Sequence, residues 1–91
     1  MLKDVCIPRI HSRTSKEYIY NVFCKLRIGK IQRITEIPLY NEQDYKRVFI
    51  KIHWNELSKN TKYIQDRFSV GENVKVVHDD SSNFWKIVKA E

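Results

Sequence analysis

The chain has 91 residues, enough for one domain with one modest core. Hydrophobic residues make up 42% and charged residues 31%, which excludes wholesale disorder, and only two glycines and two prolines interrupt regular structure. The formal net charge of +6 favours an acidic partner such as nucleic acid or an anionic surface, against the plainer role of keeping a small domain in solution.

In chain order, residues 5–10 (VCIPRI) form a short apolar run with Val5 and Ile7 in phase, and predict a first strand. The hydroxyl-rich HSRTS follows. Thr14 and Glu17 have the T-x-x-E spacing of a capping box and predict a helix start. Ile19, Val22, Phe23 and Leu26 recur at helical spacing as a core stripe, Cys24 is expected to be a buried thiol among them, and Gly29 is the expected helix stop. Residues 30–38 predict a second strand. Ile31 and Ile37 share one parity and Ile34 has the other, which a bulge would reconcile. Residues 39–44 read as a polar loop.

Residues 45–54, YKRVFIKIHW, predict a third strand with two unlike faces. Val48, Ile50, Ile52 and Trp54 make a core-facing row by the period-2 rule, and Arg47, Phe49, Lys51 and His53 make the opposite row. Cations flanking an aromatic ring suit single-stranded nucleic acid, because the ring stacks on a base and the cations meet phosphates. Asn55 or Ser58 is the expected cap of a second helix with Leu57, Thr61, Ile64 and Phe68 as its apolar stripe, and Gly71 ends it. Residues 74–78 predict a fourth strand, DDSSN (79–83) a turn, and residues 84–89 a fifth strand. The fifth strand is expected to run antiparallel to the fourth and cover its outer edge, with Trp85 and Ile87 on one face and Phe84, Lys86 and Val88 on the other.

The order β-α-β-β-α-β plus a terminal strand predicts an α+β domain of ferredoxin-like type, spanning residues 1–91. A four-stranded antiparallel sheet carries both helices on one face and leaves the other open. On that open face the expected neighbours of Phe49 are Cys6 on the first strand, Arg33 and Thr35 on the second, and Lys75 and Val77 on the fourth.

Several chemistries find no support. Cys6 and Cys24 form no CxxC pair, and His11, His53 and His78 are dispersed, so no metal or other cofactor is expected. There is no Gly-rich phosphate loop, HExxH or G-x-S-x-G, so the chain is expected not to be an enzyme. The N-terminal MLKDVCIPRI lacks the apolar region and cleavage site of a secretory leader. No apolar run approaches the ~20 residues of a membrane span. The expected setting is intracellular, in cytoplasm or nucleus.

This arrangement resembles the RNA recognition motif over nearly the whole chain. The family's third-strand octamer, [K/R]-G-[F/Y]-[G/A]-[F/Y]-[V/I/L]-x-[F/Y], lies over residues 45–52, YKRVFIKI. Phe49 and Ile50 match its fifth and sixth positions. Arg47 stands where a stacking aromatic is usual, Lys46 at the glycine and Ile52 at the last aromatic. The first-strand hexamer lies over VCIPRI, with Cys6 at its aromatic position and Arg9 in place of the usual Asn. The pieces CIPRI, RVFIKIHW and NFWKIVKAE also resemble small members of this class from large DNA viruses, which implies an infected host cell. The resemblance implies non-catalytic binding of single-stranded RNA (or DNA) by Arg47, Phe49, Lys51, His53, Cys6, Arg33 and Lys75. The alternative is a protein-interaction or self-associating module that keeps the fold, with an edge strand forming a homodimer.

Overall fold

Alternating apolar residues build the sheet, and a computed structural model describes it over residues 2–79 and 83–90. The elements are β1 (Leu2–His11), α1 (Lys16–Lys25), β2 (Gly29–Leu39), β3 (Glu42–Trp54), α2 (Lys59–Ser69), β4 (Val74–Val77) and β5 (Phe84–Lys89). All strand pairs are antiparallel, in the order β2-β3-β1-β5-β4. The fold is therefore α+β, with a five-stranded antiparallel sheet and two helices.

The core is one layer between the sheet and both helices. Val5, Ile7, Val48, Ile50, Ile52 and Ile87 are fully enclosed, against Ile19, Val22 and Phe23 of α1 and Thr61 and Ile64 of α2. Leu26 and Phe68 pack at its margin. The expected bulge in β2 is present, because the register with β3 slips between Ile31 and Arg33. The extra residue puts Ile31 and Ile34 on the core side together, while Ile37 falls on the opposite face and is 43% exposed. A second irregularity in β1, between Ile7 and Ile10, likewise returns Ile10 to the core.

The four-stranded order expected from the sequence is not the one formed. β5 lies inside the sheet, between β1 and β4, so it does not cover the outer edge of β4. It serves two partners in succession. Phe84–Ile87 pairs with β4, and Val88 and Lys89 pair with Cys6 and Val5 of β1. The reason lies in direction and in burial. β4 runs the same way as β1, so of these two strands only β5 can pair antiparallel with the edge of β1 that β3 leaves free. β5 is also longer, six residues against four, and brings Trp85 and Ile87 into the core.

Several local expectations are corrected. The N-cap of α1 is Ser15, whose Oγ accepts from Tyr18 N–H at 3.0 Å, and not Thr14. Helix α1 stops at Leu26, followed by Arg27 in the left-handed region (φ 56°), before Gly29 is reached. Gly29 instead opens β2, where a Cβ would lie 2.5 Å from the His53 carbonyl oxygen. Cys24 is exposed, because it sits about 140° around the helix from Ile19 at 3.6 residues per turn. Residues 39–44 are not a loop, since β2 and β3 form a hairpin turning at Tyr40 and Asn41. Leu57 lies before α2 begins and is 97% exposed, so it contributes nothing to that helix's stripe. Ser58 is the N-cap of α2, although its side chain makes no capping bond. The fourth strand ends at Val77. Of the DDSSN turn, residues 80–82 lie outside the described residues. At its flanks the Asp79 carboxylate accepts from the backbone N–H and Nδ2 of Asn83, at 3.2 and 2.9 Å.

Two polar contacts tie the layers together. Lys46 occupies a core-phase position of β3 and is 8% exposed. Its ammonium donates to the Thr14 carbonyl at 2.6 Å and pairs with the Glu36 carboxylate, which supplies the partners that a buried charge requires. On the other flank, the Tyr18 hydroxyl donates to the His78 carbonyl at 3.0 Å, and the His78 ring stacks on Trp85 at 4.4 Å, joining α1 to β4 and β5.

The interior position of β5 changes what truncation does. Each enclosed apolar side chain stabilises by about 1.5–3 kcal/mol, against about 5–15 kcal/mol for a whole domain. Removing residues 83–91 takes out Trp85 and Ile87 and leaves β4 without its partner, so the cooperative thermal transition followed by circular dichroism should vanish. A retained cooperative melt would show that the sheet closes without β5. For Gly29→Ala, the clash with the His53 backbone should lower stability by about 1–3 kcal/mol in urea titration.

Candidate nucleic-acid interface

The face away from the helices is built by the residues that alternate with the core row. Cross-strand register aligns them in ranks. One rank runs Val88, Cys6, Phe49, Thr35. The next runs Asp4, Lys51, Arg33, and beyond it His53 lies opposite Lys30. On the other side of the Phe49 rank, Arg47 lies opposite Ile37. At the far end, Lys75 faces Lys86 and Val77 faces Phe84. All the residues singled out from the sequence, Arg47, Phe49, Lys51, His53, Cys6, Arg33 and Lys75, therefore share this face. Lys75 is set apart from the others, because β5 stands between β4 and β1.

Phe49 is half-buried at the centre. Its cross-strand neighbours, Cys6 and Thr35, are small, and residues so paired have Cβ atoms only about 4.5–5.5 Å apart. Cys6 itself is enclosed between Phe49 and Val88, at 6% exposure. Burial pushes its thiol above the ordinary range, while the charge of Arg47 pulls it down by a lesser amount. A second aromatic, Phe84, is 49% exposed, with the Lys75 ammonium 4.9 Å from its ring centre. At about 3.3 Å per residue it stands roughly 13 Å along β5 from Val88.

The charge on this face is lopsided. Lys30, Arg33, Arg47, Lys51, Lys75 and Lys86 are all exposed, and none forms an ion pair among the described residues. Asp4 is the acid in the central ranks. Two nearby carboxylates are already committed. Glu36 is taken up by Lys46 on the core side, and Glu42 at the hairpin end by Arg9 at 2.6 Å. The Glu42 hydrogen bond in turn raises the Arg9 pKa, and the Arg9 guanidinium lies 3.7 Å from the Tyr45 ring centre. The open cations therefore meet solvent with little internal neutralisation.

Sequence reasoning missed Lys30, because the β2 bulge hid its phase. It also missed a groove of about 520 Å³ at the sheet's rim, lined by Asp4, Lys51, Trp54, Gln65, Phe68, Ser69, Lys89 and Ala90. Four separate segments converge there, and no local pattern announces it. Among the described residues no three His, Cys, Asp or Glu side chains gather as a metal site would require. No helix among them is long and apolar enough to cross a membrane. No protein-family model, curated protein or solved structure matches the chain.

The two thiols should differ sharply in reactivity. At pH 8 an alkylating reagent should label Cys24 first and Cys6 much more slowly, as read by mass spectrometry of the intact chain, because the thiolate is the reacting form and Cys6 is both enclosed and held protonated. The folded pKa of Cys6 lies above its unfolded value. Its contribution to stability is thus complete below about pH 8.5 and is lost as pH rises through the raised value. Equal labelling rates would mean that Phe49 and Val88 do not cover it.

Proposed function

We propose that the protein binds single-stranded nucleic acid, RNA in the first instance, across the open sheet face. The observation that carries this reading is the half-buried Phe49 ring set among exposed cations that form no ion pair among the described residues, Arg47 and Lys51 on its own strand and Arg33 and Lys30 on β2. A base stacks on the ring, and the guanidinium of Arg47 offers a second planar surface as well as phosphate contacts. Phe84, held against Lys75, extends the surface for a further base. His53 adds a polar contact at the rim. No group is required to form or break a bond, so the role is recognition without catalysis.

The same reading treats the fold as a variant of the RNA recognition motif in which the last strand, β5, takes the position beside β1. The aromatic normally contributed by that family's first strand is replaced by Cys6, so stacking rests on Phe49, Arg47 and Phe84. The family relation, a viral origin and an intracellular setting belong to this proposal and share its fate.

A second reading is self-association through β2, whose outer edge of eleven residues has no partner strand among the described residues. The bulge at Gln32, Pro38 and the charged Lys30, Arg33 and Glu36 blunt that edge, which ranks this reading below the first. Sedimentation equilibrium separates them, since a β2-paired dimer would appear without any nucleic acid.

Binding of short single-stranded RNA should weaken as salt rises, with a log–log slope of about −0.7 for each phosphate neutralised. Fluorescence anisotropy at low and moderate salt measures it, and absence of binding at low salt would refute the proposal. Phe49→Ala should remain folded and bind about 5- to 100-fold more weakly, the loss of one stacked base at about 1–3 kcal/mol. Unchanged affinity per folded molecule would remove Phe49 from the interface.

A further inference from the structure

We infer that the rim groove is a pocket for the terminal nucleotide of the bound strand, with a preference for a base that offers an amino group. This inference rests on the nucleic-acid reading of the open face and extends it. The groove is formed where the start of β1, the ends of β3 and β5 and the last turns of α2 meet. Its volume of about 520 Å³ lies within the ~300–1,000 Å³ of small-ligand sites.

Continuity with the face is the first argument. Lys51 belongs to both, standing two residues beyond Phe49 on β3 and lining the groove. A strand that stacks on Phe49 and passes Lys51 reaches the rim and turns into the groove. There its α2 side is lined by Gln65, Phe68 and Ser69. The groove lies at the end of the path across the face, so the occupant assigned to it is an end of the strand.

The lining supplies the second argument. Trp54 and Phe68 meet edge to face, with ring centres 6.4 Å apart, and provide an apolar wall for a base. Trp54 is 4% exposed, and its indole N–H has no hydrogen-bond partner among the described residues. Among the described lining residues, Lys51 and Lys89 bring two positive charges suited to a phosphate, against the one negative charge of Asp4. The wall carrying Lys89 is fastened to the start of β1, because Ala90 N–H donates to the Asp4 carbonyl at 3.1 Å. The Asp4 carboxylate is exposed and makes no ion pair with its cross-strand neighbour Lys51. A carboxylate only accepts hydrogen bonds when ionised, so it selects base edges that donate. Guanine is the best match, with a ring N–H beside its amino group, and uracil the poorest, with one N–H flanked by two carbonyls.

The test uses the full chain and two probes. Guanosine 5′-monophosphate is titrated into isotopically labelled protein, and amide and indole shifts are followed. The expected shifts cluster at Asp4, Lys51, Trp54, Phe68, Ser69 and Lys89, with uridine 5′-monophosphate binding at least about 5-fold more weakly. Ser69→Trp, at an exposed position, should fill the groove and abolish them, and Lys89→Gln should weaken the nucleotide but not guanosine. Hexauridylate with a guanosine at one end is then compared with the same oligomer carrying an abasic residue there, for each end in turn. Loss of the base at one end should weaken binding about 5-fold or more in the wild type and leave Ser69→Trp unaffected. Oligomers that bind the face equally well with and without either terminal base, with no mononucleotide shifts in the groove, would overturn the pocket and leave the face reading intact. Mononucleotide binding without oligomer binding would overturn both the strand reading and the terminal-nucleotide role. If neither probe binds, both fail.

Discussion

Antiparallel pairing of β1 with β3 is the constraint on which the rest of the molecule depends. It sets Val5 opposite Ile50 and Ile7 opposite Val48, four side chains with no exposed surface. Because side chains alternate, the same register that closes the core turns Cys6, Arg47, Phe49 and Lys51 to the other side. A slip of one residue would bury the cations and expose the isoleucines. The open face is thus a consequence of the core and is held as firmly as the core is.

The two faces carry opposite electrostatic conditions. On the core side the charges are paired: Lys46 reaches Glu36 and the Thr14 carbonyl, and both acceptors lie within the layer that encloses it. On the open side Lys30, Arg33, Arg47, Lys51, Lys75 and Lys86 form no ion pair among the described residues. Pairing Glu36 and Glu42 elsewhere keeps them from neutralising the face. Part of the modest net charge of +6 is in this way left open to solvent on the face away from the helices.

Insertion of β5 beside β1 gives the sheet its particular shape. The strand meets β4 along Phe84–Ile87 and β1 only at its last two residues, so β4 and Phe84 stand away from the central ranks. Its end also supplies Lys89 and Ala90 to the rim groove. One strand thereby completes the core with Trp85 and Ile87, widens the open face with Lys86 and Val88, and walls the groove.

Sequence alone determined the features that depend on neighbours along the chain. The alternation over residues 45–54 defined both rows of β3, the spacing of Ile19, Val22 and Phe23 defined the buried stripe of α1, and the parity conflict in β2 required a bulge. The phase of β5 was legible for the same reason. Tertiary structure decided what depends on partners distant in sequence. The place of β5 inside the sheet followed from strand direction and from competition for burial, neither of which a local pattern records. The exposure of Cys24 and Leu57 followed from where each element starts and how it is rotated. The enclosure of Cys6 between Phe49 and Val88, and the convergence of Asp4, Lys51, Phe68 and Lys89 on one groove, exist only once the strands are in register, because no periodicity along the chain links residues that distant.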